Sequence, residues 1–198
     1  TDEWERASSR GRSGRAGRIG GMERRLTPEL MDDPSVPRAE LERSLGYIRL
    51  VNRRLGGVGA LLKHLKRWSR RWARDRAVTL LDIATGSAGL PLAARAWARR
   101  AGFDLRIVGV DVQETRVEIA RELVREALAR EGDDPEAVRI ERADALRLME
   151  RFAPGEFEYT HAGLFLHHLP EIEVLTVLRI MERLGRAGLV WNDLVRSP

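Results

Sequence analysis

Apolar residues recur along this chain in two rhythms, and the change between them falls near residue 77. From Pro37 the spacing is three and four: in RAELERSLGYIRLVNRRLGG, Leu41, Leu45, Ile48, Val51 and Leu55 share one face of a helix that a glycine pair ends. A second helix is predicted in VGALLKHLKRWSRRWARD, where Leu61, Leu65, Trp68 and Trp72 form a stripe and basic residues fill the remaining faces. After Ala77 short apolar runs alternate with helical spacing. Strands are predicted over 78–84, 105–111, 138–142, 157–163 and 188–194, with helices between them over 91–100, 114–131, 145–152 and 171–184. Strands separated by helices need right-handed crossovers, which predicts an α/β fold with a doubly wound, mostly parallel five-stranded sheet behind an N-terminal helical extension.

Composition divides the chain further. Residues 1–36 begin with an Arg-, Gly- and Ser-rich run without periodicity and are expected to be a disordered or extended basic arm. Residues 37–76 are expected to form a helical cap and residues 77–198 the α/β domain. With no cysteine, no secretory apolar segment and no run near the roughly 20 apolar residues a bilayer span needs, a cytoplasmic protein without a transmembrane segment is expected. The net charge of +5 is local, since Arg53 to Arg76 holds nine basic residues against the single acid Asp75. That basic helix has three readings: a solvated face on a helix whose Leu and Trp stripe packs inward, a membrane-surface contact, or an RNA contact. The apolar stripe favours packing, so no obligate nucleic-acid partner is expected.

The stretch LLDIATGSAGLP, residues 80–91, runs from a buried strand into an acid and then into a turn of small residues. Ligands of parallel α/β sheets bind beyond the carboxyl ends of the strands at the switch point, where this turn lies. Small side chains at Ala84, Gly86, Ala88 and Gly89 let the backbone approach a ligand, and amides at the start of the next helix point toward it. The turn is one residue from a dinucleotide-binding GxGxxG, yet Asp82 before it would repel a pyrophosphate and suits a cation such as a sulfonium or an ammonium. Asp111 ends the second strand, where a carboxylate accepts both hydroxyls of a ribose, with Val112 beside it to cover an adenine face. Asp144 follows the third strand, placed either to accept from an adenine amine or to cap the helix from Ala145. Three acids at neighbouring strand ends describe a nucleoside site without phosphates.

With VGVDVQ, RADAL and FEYTHAGLFLHHLP, that stretch resembles the class I S-adenosylmethionine-dependent methyltransferases over roughly residues 75–195. The resemblance implies a Rossmann-like fold and S-adenosyl-L-methionine as cofactor. It implies that Asp82, Ala84 and Gly86, with the loop positions Thr85 and Ser87, hold the methionine end and that Asp111 holds the ribose. Val112, Asp144 and Ala145 would hold the adenine, and Ala162, Gly163 and Leu164 would lie beside the sulfonium. Ala84 and Ala88 stand where the family usually has Gly, and family members usually continue past the fifth strand with a helix and an antiparallel pair, so the domain is expected to be C-terminally truncated.

His167 and His168 follow the fourth strand near the expected acceptor, where an imidazole can remove a proton as the methyl group moves; the alternative is an ordinary loop and helix start. No metal site is expected, because His161 lies within a strand and neither acid nor cysteine completes a chelate with the pair. The expected function is methyl transfer to a small-molecule acceptor, by a chain whose fifth strand at the sheet edge suggests a homodimer. Two competitors stay open: an NAD(P)-dependent oxidoreductase, from the near GxGxxG, and a non-catalytic cofactor-, RNA- or membrane-surface-binding module, from the basic helix.

Overall fold

A computed structural model describes residues 36–54 and 56–193, so the arm expected over residues 1–36 lies outside the described residues except for Val36, as do Leu55 and Leu194. The chain runs α1 (Arg38–Arg54), α2 (Gly57–Trp68), β1 (Val78–Ile83), α3 (Gly89–Arg100), β2 (Leu105–Asp111), α4 (Glu114–Arg130), β3 (Val138–Arg142), β4 (Phe157–Gly163), α5 (Glu171–Leu184) and β5 (Gly185–Asn192). The sheet order is β3-β2-β1-β4-β5 and every pairing is parallel. Because β1 sits in the middle and the chain leaves it first toward β2 and later toward β4, the strand order reverses there, at the carboxyl end of β1.

Strand alternation assigns each side chain to a face. Val78 and Leu80 of β1, with Leu105 and Ile107 of β2, pack under α2, α3 and α4 through Leu61, Leu65, Ala94, Ala98, Val117 and Val124. Leu81, Ile83, Val108 and Val110 point the other way and meet Val177, Ile180, Met181 and Leu184 of α5 with Leu148 and Phe152. A sheet covered on both faces explains why its central strands read as near-continuous apolar runs.

Three elements differ from the sequence expectation. The helix predicted over 145–152 is a 3₁₀ stretch, Ala145–Glu150, opened by Asp144, whose carboxylate accepts from Leu146 N–H at 2.9 Å. Short i→i+3 bonding is enough there, since its task is to bury Leu148 beside Phe152. The second helix stops at Trp68 and tightens into a 3₁₀ turn, Ser69–Arg71, while Trp72 is extended. Its stripe still packs as one surface: Leu61 and Leu65 are buried, Trp68 stacks on Tyr159 at 4.1 Å, and Trp72 Nε1 donates to Tyr159 Oη at 2.9 Å. Finally, β5 starts at Gly185, directly where α5 ends, and reaches register with β4 through an irregularity between Phe157 and Tyr159.

Candidate functional site

The loop after β1 is built by its neighbours. Thr85 N–H donates to Val110 O at 2.9 Å, and Thr85 Oγ1 donates to Asp82 Oδ2 at 2.7 Å, so the turn is tied to β2 and to the end of its own strand. Gly86 takes φ of 56°, where a glycine avoids the Cβ penalty, and its amide donates to Asp111 Oδ2 at 3.1 Å. Ala84 and Ala88 also sit at positive φ, 56° and 59°, at the two places where a Gly was expected. Asp111 Oδ1 accepts from Gln113 N–H at 3.1 Å. Its carboxylate therefore spends one acceptor site per oxygen on the backbone and keeps a second on each.

Two lobes open on either side of this residue. One, a cavity of about 260 Å³, is lined by Asp82, Ala84, Thr85, Gly86, Ser87, Gly163, Leu164, His167 and His168, and by Leu45, Tyr47, Ile48, Arg49, Val51 and Asn52 of α1. The other, of about 220 Å³, is lined by Val112, Asp144, Ala145, Ala143 and Leu146. Ala84, Asp111, Arg116, Phe165 and His168 border both. Of the residues singled out at the strand ends and in the turn, all but Ala88 and Ala162 line this crevice, and Ala88 is fully buried. Ala162 does not line it: at 1 % exposure it is enclosed between Ile83 and Trp191 in the sheet. Asp144 performs the capping its position allowed and also lines the second lobe.

Asp82 is less open than the sequence implied. It is 2 % exposed, and besides Thr85 it meets His161 Nδ1 at 2.5 Å, while His161 Nε2 lies 3.1 Å from the Asn192 side-chain oxygen. This line of contacts ties together the ends of β1, β4 and β5. A side chain at Gly163 would run into it, since a Cβ there would stand 2.9 Å from His161 Cε1 and 3.0 Å from Leu90 Cδ1. Sequence reasoning missed this connection, along with Arg49 and Arg116 in the crevice wall and Asp193 behind His167. Among the described residues no group of three or more His, Cys, Asp and Glu is arranged to hold a metal ion.

The two lobes with a carboxylate at their waist fit an S-adenosylmethionine-type cofactor, because Asp111 retains the acceptor sites a ribose diol needs and the small-residue turn leaves the first lobe open. Comparison with known proteins agrees. No curated protein matches the chain. A protein from Methanococcus maripaludis described as an S-adenosylmethionine-dependent methyltransferase is similar in structure, with a TM-score of 0.54 at 14% identity over 77% of this chain and 63% of its own. The DszA carbon methyltransferase gives 0.53 at 18% identity over 70% of this chain and 34% of its own. A SAM-dependent methyltransferase from Aquifex aeolicus gives 0.51 at 16% identity, covering 82% and 78%. The chain therefore spans from about a third to about three-quarters of these neighbours, and at such identities they speak for the fold. S-adenosylmethionine is the cofactor expected with it. The methyltransferase domain family matches residues 80–188, more than half of the sequence, and the chain belongs to that family.

Proposed function

We propose that this protein transfers a methyl group from S-adenosylmethionine to a small organic acceptor. The observation that carries the reading is the position of Asp111, a buried carboxylate with acceptor sites to spare between two lobes. In this reading Asp111 takes the ribose hydroxyls, and Val112, Asp144 and Ala145 enclose the adenine. Asp82, Ala84, Thr85, Gly86 and Ser87 border the methionine end, with Arg49 available to its carboxylate. Gly163 and Leu164 flank the sulfonium, and Ala162 supports them from within the sheet. The bound cofactor supplies a methyl group already activated by the sulfonium charge, so the protein's work is alignment and exclusion of water.

Acceptor binding falls to the first lobe, whose wall is α1. Leu45, Ile48 and Val51 give it apolar lining, and His167 and His168 line the same lobe as candidate bases. Of the expected cap over residues 37–76, α1 is the part that closes the site, α2 packing on the sheet away from it, and residues 77–198 hold the cofactor. Among the described residues β5 pairs only with β4, and a second copy of the chain is the partner assigned to its open edge. No helix among the described residues is long and apolar enough to cross a membrane.

The test is transfer itself. Incubation with S-adenosylmethionine carrying a labelled methyl group and a panel of phenols, amines and carboxylic acids is expected to place label on an acceptor, and Asp111→Ala is expected to abolish most of it. Transfer undiminished by Asp111→Ala would remove the ribose assignment.

A further inference from the structure

A second concavity lies at the opposite end of the sheet from the cofactor crevice, beside the first residues of β1, β4 and β5. It measures about 660 Å³ and shares no lining residue with either lobe of the crevice. Its basic lining comes from several segments: His64 and Arg67 of α2, Arg70 and Arg71 of the 3₁₀ turn that follows, Arg76 before β1, and Arg186 of β5. The acid that lines it, Glu158, is buried and already engaged. Its Oε2 accepts from the Thr79 amide at 2.8 Å and from the Thr79 hydroxyl at 2.5 Å, while its Oε1 accepts from Arg186 and lies 3.8 Å from Arg76 Nη2. Arg67, Arg70 and Arg71 are exposed, and their guanidinium groups make no ion pair or hydrogen bond among the described residues.

These arginines stand on a rigid aromatic base. Trp68 stacks on Tyr159 with planes inclined at 7°, and Trp72 donates to the Tyr159 hydroxyl and meets Phe103 edge-on at 5.4 Å. Because Leu61, Leu65 and the two tryptophans are spent on this packing, none of the exposed large apolar side chains belongs to α2 or its turn. This face therefore lacks the apolar residues that seat a basic helix in a lipid surface. Guanidinium groups gathered without matching acids repel one another, and an anion between them offsets that repulsion.

We propose that this cavity binds a nucleotide-sized ligand carrying consecutive phosphate groups, at a site independent of the cofactor crevice. Arginine suits phosphate because its planar fork donates two parallel hydrogen bonds to phosphate oxygens and stays charged throughout the physiological pH range. A lone carboxylate fills one such fork. A chain of phosphates presents charge and several acceptor oxygens at every step, so it can engage Arg67, Arg70 and Arg71 together while Glu158 holds Arg186 at the wall. The volume lies within the roughly 300–1,000 Å³ of small-ligand sites, which favours a compact ligand over a polymer lying across the surface. The assignment stands whatever methyl acceptor the crevice takes.

Inorganic triphosphate is the probe, titrated calorimetrically into the full chain at about 0.15 M salt. Saturable binding at a single site is expected, with citrate, a polyanion of carboxylates, weaker by about 10-fold or more. Arg67→Ala/Arg70→Ala/Arg71→Ala should weaken triphosphate by about 10-fold or more. Lys63→Ala/Lys66→Ala, which removes exposed charge from the same helix outside the cavity, should change it by less than about threefold. All five side chains are exposed, so circular dichroism of both variants should match that of the parent protein. Saturating S-adenosylhomocysteine should leave the triphosphate affinity unchanged. Absence of saturable binding at about 1 mM triphosphate, equally tight citrate, equal losses in the two variants, or displacement by S-adenosylhomocysteine would each overturn the proposal. Tight binding of an oligouridylate RNA without binding of triphosphate would overturn it too, in favour of a surface contact with a polymer.

Discussion

Ala84 and Ala88 hold left-handed backbone at the two ends of the turn that carries the first lobe. An L-residue there costs about 1–2 kcal/mol, and a glycine gives back about 0.4–1 kcal/mol through the freer unfolded chain. At Ala84, which is partly exposed, replacement by Gly is therefore expected to stabilise the fold by about 0.5–1 kcal/mol, read as a higher denaturant midpoint with an unchanged slope. At Ala88 the methyl group is fully buried, so its removal offsets the relief and Ala88→Gly should be close to neutral. Asp111 is the residue on which binding turns. Asp111→Ala is expected to weaken S-adenosylhomocysteine by about 1–3 kcal/mol through lost charge-assisted hydrogen bonds, measured by calorimetry. It also removes the acceptor that holds Gly86, so the loss should include a looser turn.

At the scale of elements, α3 is pinned to the opposite end of the sheet from the crevice by a buried arginine. Arg95 Nε and Nη2 donate to the two oxygens of Asp133 at 2.8 and 2.7 Å, and its Nη1 donates to Asp104 at 2.7 Å. Hydrogen bonds from Arg95 hold the Asp133 carboxyl below the usual carboxylate range. Burial pushes Glu158 up, but the Thr79 hydroxyl and amide and the Arg186 guanidinium outweigh it and leave that group lowered as well. A lowered folded pKa contributes stability that is present above the unfolded pKa, near 4 for these groups, and is lost as pH falls through the folded value. Denaturation midpoints should accordingly drop steeply below about pH 4. Arg95→Met leaves Asp133 only the Asp134 amide and Arg99 at 3.6 Å, so it should lower stability at neutral pH by about 2–3 kcal/mol and flatten that acid slope. Elements also show what the sequence made legible. Asp82, Asp111 and Asp144 were readable because parallel strands converge at one edge, whatever their separation in sequence. His161 was not, because its contacts with Asp82 and Asn192 depend on β4 lying between β1 and β5 and on their register. Asp193 carried the same strand-end signal as Asp111, but a strand expected to run to residue 194 placed it inside the sheet.

For the whole molecule, the parallel sheet separates two ends of different character. At the carboxyl ends of the strands lie the paired lobes, bordered by acids and closed by α1. At the other end Trp68 and Trp72 pack on Tyr159, and Arg67, Arg70 and Arg71 rim a separate surface cavity, so the tryptophans have no part in the crevice. The packing of Leu61 and Leu65 into the core accounts for the stripe of the basic helix. The central claim is that the acid-bordered crevice accepts a phosphate-free adenosine derivative carrying an amino-acid tail. Its most direct test is titration calorimetry of the protein with S-adenosylhomocysteine and, separately, with NADH. Saturable binding of S-adenosylhomocysteine, weakened in Asp111→Ala, with no heat from NADH, is the predicted result; binding of NADH alone, or of neither, would contradict it.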